Sequence, residues 1–317
     1  MHRVILQRMA MAVPLLVILA TFVFILVRLI PGDPAAALLG EYATESDILR
    51  VRAMWGLDEP LWIQYGNWVW GVLVRLDLGR SFYLGIPVTT AFLGRMEPTI
   101  ILMAMGSAMA IITGVTLGVV AAVRRNSWVD RAVMVVALIG LAVPNFWLGL
   151  ILMFMFAITL GLLPASGYVP LSEGGLSSLR FLILPAASIG LSGAGVIARM
   201  TRSSMLDVLR QQYVSTARGK GLAERTVIYR HVLRNALIPT LTIIGLLIAG
   251  LAGGAIIAET VFAIPGSGRL VIQSVGRRDY PVIQGAVMLT GMMYVVVNLL
   301  IDILYTFLDP RVRYDHD

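Results

Sequence analysis

Hydrophobic positions along this chain gather into six uncharged runs, at 9–27, 98–123, within 132–163, 181–198, 235–258 and 280–301. Each can cross a hydrocarbon layer of roughly 30 Å as an α-helix. The pattern predicts an all-α membrane protein with six spans. Pro144 lies inside the third run, which predicts a kinked or tilted helix there. The fourth run contains Pro185, Gly190, Gly193 and Gly195, and small residues at that density predict close helix packing. Arg28 and then Pro31-Gly32-Asp33-Pro34 follow the first run without a small-residue cleavage site. It reads as a retained span rather than a cleaved signal.

Two of the intervening segments are long. In 31–97, Trp55, Trp62, Tyr65, Trp68 and Trp70 cluster beside Leu57, Ile63 and Val69. This predicts an amphipathic helix in the outer interface, part of an aromatic belt. The same face could dock a partner outside the membrane. In 199–234, Met205, Val208, Leu209, Tyr213, Thr216 and Ala217 recur at helical spacing. Gly219-Lys220-Gly221 then interrupts, and a second helical stretch from Leu222 to Arg234 leads back toward Pro239. A broken helix pair projecting from a membrane bundle suits entry into a groove on another protein, although arginines that only fix topology give the same pattern.

Charge supports that organisation. Of the chain's 317 residues only 14% are charged, mean hydropathy is +0.85, and Lys+Arg number 25 against 18 Asp+Glu. Placing both termini in the cytoplasm puts fifteen of the 25 basic residues in inside segments, eight of them within 199–234. The basic balance follows from orientation, and nucleic acid is not expected as a partner.

Chemistry is sparse. Cysteine is absent, and the three histidines, His2, His231 and His316, lack metal-ligand spacing. No phosphate-binding loop occurs, because Gly219-Lys220-Gly221 lacks the upstream glycine and the hydroxyl. Gly190-Leu-Ser-Gly193 resembles an intramembrane serine protease motif, but no histidine is expected near Ser192. The chain is therefore read as non-catalytic, with no cofactor and no metal. Ionisable or polar residues near span ends are candidates for a translocation path: Glu259, Asn298 and Asp302, with Asn145 and Trp147 after Pro144. A stand-alone secondary transporter is the rival class, but no charge lies mid-span and no internal repeat is evident.

Tyr213-Val-Ser-Thr-Ala-Arg-Gly-Lys-Gly-Leu222, followed by His231-Val-Leu-Arg-Asn-Ala-Leu-Ile-Pro239, resembles the coupling loop of ABC importer permeases of the peptide and nickel family. Gly221 matches the loop's glycine, while Ser215-Thr216-Ala217 replaces its Glu-Ala-Ala. Arg28-Leu-Ile-Pro-Gly-Asp-Pro34, Leu76-Asp-Leu-Gly-Arg-Ser81, Val143-Pro-Asn-Phe-Trp-Leu-Gly149 and Glu259-Thr-Val-Phe-Ala-Ile-Pro-Gly-Ser-Gly-Arg-Leu270 are also similar to that family. So are Arg278-Asp-Tyr-Pro281 and the ending Asp302-Ile-Leu-Tyr-Thr-Phe-Leu-Asp-Pro-Arg311. The match is to the first of the two permeases in dipeptide and oligopeptide systems.

The resemblance implies the six-helix type I importer permease fold. Residues 1–30 would form the N-terminus and first span, 31–97 the extracytoplasmic segment, and 98–317 the core carrying coupling loop 199–234. It implies coupling to ATPases through Ser215, Thr216, Ala217, Arg218, Gly219, Gly221 and Leu222. The implied partners are a second homologous permease, two cytoplasmic ATPase subunits, an extracytoplasmic solute-binding protein and the lipid of a prokaryotic inner membrane. The implied cargo is dipeptides or oligopeptides, with glutathione or nickel complexes as alternatives.

Overall fold

Capping groups and prolines decide where the helices of this chain start and stop. The computed structural model describes residues 2–40 and 42–308, with side chains from 13 to 299 except 41 and 252. The first helix, α1, is His2–Leu29. Next, α2 (Pro34–Leu39) starts where the Asp33 carboxylate accepts from the Ala35 amide and proline takes the first helical position. Thr44 and Asp47 form a reciprocal capping box at the start of α3 (Glu45–Met54). Pro60 and Pro87 precede α4 (Leu61–Val74) and α5 (Val88–Leu93).

The long helices follow. They are α6 (Met96–Val123), α7 (Trp128–Ala142) and α8 (Asn145–Leu152), then the short α9 (Leu171–Gly174) and the 30-residue α10 (Arg180–Leu209). After them come α11 (Gln212–Gly219), α12 (Glu224–Thr226), α13 (Arg234–Val261), α14 (Ser267–Gly276) and α15 (Tyr280–Leu308). Seven-residue π-helical stretches extend α8 over Met153–Thr159 and lead into α13 over Val227–Leu233.

All six hydrophobic runs fall on these helices. Among the described residues four helical segments are long and apolar enough to cross a membrane: Val88–Val123, Leu171–Leu209, Glu224–Leu251 and Tyr280–Leu299. The first run carries a shorter apolar stretch, Val13–Leu29. The third differs most from expectation. It is two helices, α7 and α8, meeting at 107°. Proline excludes the helical region at the residue before it, and Val143 accordingly sits at ψ 124. The predicted kink is a full break.

The chain divides into two compact units, Met1–Glu97 with Gly266–Leu299, and Pro98–Pro265 with Leu300–Asp317. In the second unit α10 is the central element, packing on α7, α8 and α13. Its most apolar window is 67% buried, against 33% or less in the other spans, so its surroundings are protein rather than lipid. Small residues make this possible. Gly106, Ala110, Gly114 and Gly118 form a buried stripe on α6 facing Ile189, Ile197 and Thr201 of α10. A Cβ on Gly114 would lie 2.7 Å from the Ile197 Cβ and 2.8 Å from the Ala194 carbonyl oxygen. On the other side of α10, a Cβ on Gly195 would lie 2.5 Å from the Ala137 carbonyl oxygen. Lipid tails are as apolar as leucine, so helices associate in a bilayer through this kind of close approach.

In the first unit one face of α4 packs on α1. Trp62 and Trp70 are exposed, but Tyr65 packs edge-on against Phe24 of α1, and Trp68 lies beside both rings. The Tyr65 and Thr21 hydroxyls are hydrogen-bonded at 2.8 Å, and Arg28 donates to Gln64 at 2.8 and 3.2 Å. The aromatic cluster is thus a helix docked on the first span. Trp55 stacks on Phe82 with ring centroids 3.7 Å apart. The buried Asp279 carboxylate accepts from the Ser81 hydroxyl and the Phe82 and Tyr83 amides, fixing the 81–85 turn to the start of α15. Arg52 bridges Asp33 at 2.6 Å and Asp58 at 2.8 Å. Burial pushes the Asp33 carboxyl up, but the hydrogen bonds from Arg52 and the Ala35 and Ala36 amides outweigh it and hold the group below the usual carboxylate range.

Candidate functional site

The segment after α10 is built as a short bracket. The helical spacing through 199–217 suggests one continuous helix, but the chain leaves the helix at Arg210 and Gln211, and α11 restarts at Gln212. Its end is a Schellman motif. The Leu222 amide donates to the Ala217 carbonyl at 3.4 Å, and the Gly221 amide donates to the Arg218 carbonyl at 2.9 Å. Gly221 carries the left-handed φ of 76° that this motif needs, whereas Gly219 remains helical. One glycine therefore makes the turn. The second stretch starts at Glu224 rather than Leu222, and it does not stop before Pro239. It runs on without a break through the π-helical turn into α13.

The underside of the bracket is apolar. Val214 and Ala217 of α11 join Met205, Val227, Ile228, Val232, Val119 and Ala122 in one buried cluster. Its upper surface is polar and open: Ser215, Thr216, Arg218, Gly219 and Gly221 are exposed, as is Leu222 at 41%. Six of the seven candidate coupling residues thus lie on one accessible surface, and Ala217 anchors it from below. Arg218 closes the turn with two hydrogen bonds to Glu224, at 2.6 and 3.1 Å, which hold its guanidinium pKa above the ordinary arginine value. Asn235 donates to the Tyr213 hydroxyl at 3.0 Å, tying α11 to α13. No Cβ contact is within 4 Å at Gly219 or Gly221, so both face open space.

Beside this bracket lies an ion pair that the sequence reading missed. Asp130, in the first turn of α7 and 3% exposed, receives two hydrogen bonds from Arg202 of α10. It also accepts from the Asn126 amide, and its own amide donates to the Ser127 hydroxyl at 3.3 Å. The Ser127-x-x-Asp130 spacing marks a helix start, so the capping half was visible in the sequence. The partner 72 positions away was not.

The proposed path residues lie on three helices, α8, α13 and α15. Asn145 opens α8 and is half-buried, with its side-chain nitrogen near Gly254 of α13, while Trp147 is 51% exposed. Glu259 is fully buried in the second unit and accepts from the Thr99 hydroxyl at 2.6 Å. Asn298 donates to the Tyr294 carbonyl within α15 at 3.1 Å. The side chain of Asp302 lies outside the described residues. Among the described residues no group of three His, Cys, Asp or Glu is placed to hold a metal.

Residues 114–314 match the family of binding-protein-dependent transport system inner membrane components, and residues 1–102 match the N-terminal region of such components. The chain belongs to this family. It is 46% identical over 315 residues to a putative peptide transport system permease protein of Brucella abortus, covering 99% of this chain and 100% of that one. It is 40% identical over 328 residues to the dipeptide transport system permease protein DppB of Alkalihalophilus pseudofirmus, covering 97% and 98% of the two chains. It is 41% identical over 310 residues to the glutathione transport system permease protein GsiC of Salmonella choleraesuis, covering 98% of each. An inward-facing MetNI methionine ABC transporter structure shares the fold at a TM-score of 0.57 and 16% identity, over 68% of this chain and 95% of that one. The chain is a multi-pass inner-membrane permease of the ABC importer type, and membership implies ATPase and binding-protein partners.

Proposed function

We propose that this permease carries short peptides inward by alternating access and that the α11 bracket is where ATPase motion enters it. The observation that carries the reading is the bracket itself: a polar, open turn of fixed shape, rooted by Val214 and Ala217 in the cluster that also holds α6 and α10. A force on Ser215, Thr216, Arg218 or Leu222 is passed to the spans as a rigid displacement, because the Schellman turn and the Arg218–Glu224 pair leave the bracket little freedom.

Both termini and the bracket then face the cytoplasm. A second homologous permease completes the pathway, two ATPase subunits seat on the two brackets, and a soluble receptor delivers cargo to the outer mouth. Closure of the ATPases around ATP turns the cavity outward, and hydrolysis in those subunits resets it. This chain supplies no hydrolytic group; it holds and moves the path. Segment 31–97 lies outside, held to the first span through α4.

Dipeptides and oligopeptides are the preferred cargo. Glutathione is a second reading, favoured by the relative of that name at the same level of identity. Uptake of labelled dipeptides and of glutathione by vesicles holding this chain, its co-purifying subunits and the cognate receptor distinguishes the two. ATP-dependent uptake of either supports the import reading, and uptake of neither by the loaded system overturns it.

A further inference from the structure

The turn of the bracket carries positive charge in a place that orientation alone does not require. From Val208 to Ala258 the chain has a single carboxylate, Glu224, set against Arg210, Arg218, Lys220, Arg225, Arg230 and Arg234. Arg218 holds both oxygens of that carboxylate. Lys220 and Arg225 are exposed, and among the described residues neither has an ion-pair partner. Basic residues anywhere in an inside loop would fix the topology equally well. Here two of them stand on a turn whose shape is set by the Schellman bonds.

Leu222 lies between them. In a Schellman turn the residue in its place commonly packs on the helix residue five positions back. That residue is Ala217, which is short and buried in the cluster beneath the bracket, so Leu222 stays 41% exposed. Gly219 and Gly221, on either side of Lys220, have nothing within 4 Å of where a Cβ would stand. A partner surface can therefore reach the backbone on both sides of the lysine and close over the leucine. An open apolar side chain, with an unmatched cation two positions before it and another three after, has the make-up of an interface anchor with a charged rim.

We propose that the bracket docks in a groove of the cytoplasmic ATPase subunit whose floor is an apolar pocket for Leu222 and whose rim carries carboxylates facing Lys220 and Arg225. This rests on the coupling role proposed for the bracket and adds the chemistry of the surface that receives it. Leu222 supplies the grip, and the two cations set the orientation and the salt dependence of docking.

Lys220 is the chain's only lysine, so amine chemistry reports on this turn and on the N-terminus alone. A water-soluble carbodiimide, added to the purified chain with its co-purifying ATPase subunits, joins amines to carboxylates that touch them. The expected product is a cross-linked species in which peptide mapping places Lys220 on an aspartate or glutamate of an ATPase subunit, and which Lys220→Arg does not form. Lys220→Glu should weaken retention of the ATPase on the immobilised permease about tenfold at low salt and much less at high salt. Leu222→Ser should weaken retention about tenfold at both. Both positions are exposed, and equal amounts of each variant in the membrane check that it folds. An intact complex in which Lys220 stays unlinked, or is linked to Glu224 or to the second permease, overturns the acidic rim, as does unchanged retention of Lys220→Glu. Unchanged retention of Leu222→Ser overturns the apolar pocket. The coupling role itself survives either failure and falls only if Gly221→Asp transports normally.

Discussion

Two glycine-dependent regions of the same unit use glycine for opposite reasons. Along the α6–α10 seam the backbone is ordinary helix and the space is full: a Cβ on Gly114 or Gly118 would lie within 2.8 Å of both a side chain and a carbonyl oxygen of α10. At the α11 turn the space is empty and the backbone is special, since Gly221 has φ 76° and nothing within 4 Å of where a Cβ would stand. The seam is a finished contact inside the protein. The turn is an unfinished one, shaped but uncovered. In a bilayer, helices hold together by approaching closely, so the seam bears stability. The turn should cost little to alter in the isolated chain, which fits the coupling role proposed for it.

Substitutions at the two places should therefore separate folding from transport. Gly114→Leu should be the most damaging, forcing α6 off Ile197 and Ala194 at a cost of at least about 3 kcal/mol; loss of the protein from membrane immunoblots checks it. Asp130→Asn removes the charge that pairs with Arg202 and should lower stability by about 2 kcal/mol, between the values for exposed and buried pairs, read as a drop in the melting midpoint of the detergent-purified chain. Gly221→Asp should cost only about 1 kcal/mol for a side chain at positive φ, leaving normal amounts of protein that no longer transports. Arg218→Gln opens a largely exposed pair and should change stability by less than about 1 kcal/mol, while loosening the turn enough to slow uptake measurably. If Gly114→Leu were tolerated and Gly221→Asp unfolded the chain, the contrast between the regions would be lost.

The sequence made one side of the seam legible because its requirements are local. Long uncharged runs announce spans, and the small residues Gly190, Gly193 and Gly195 announced close packing on α10, while the matching stripe on α6 went unread. The α7–α8 break was half legible: Pro144 marked the place, but the 107° angle depends on what each half packs against. The bracket was legible at Gly221, where turn chemistry is local, but its apolar face was only half read: Tyr213 and Thr216 are exposed, and Val214 is buried beside Ala217. Its start was not, because Arg210 and Gln211 carry no cap or breaker that marks the end of α10. Glu259 shows the same limit. Its position suggested a path residue, and its hydrogen bond from Thr99, 160 positions away, could not be read from the sequence. Pairings across such distances have no signal in a single sequence.

The central claim is that the turn at Gly221 passes ATPase motion to the spans. The most direct measurement is ATP-dependent uptake of a labelled dipeptide, with ATPase stimulation by the loaded receptor, in vesicles holding Gly221→Asp and all its partner subunits. The expected result is variant protein at normal abundance with both activities lost. Uptake and stimulation at the level of the unaltered protein would contradict it.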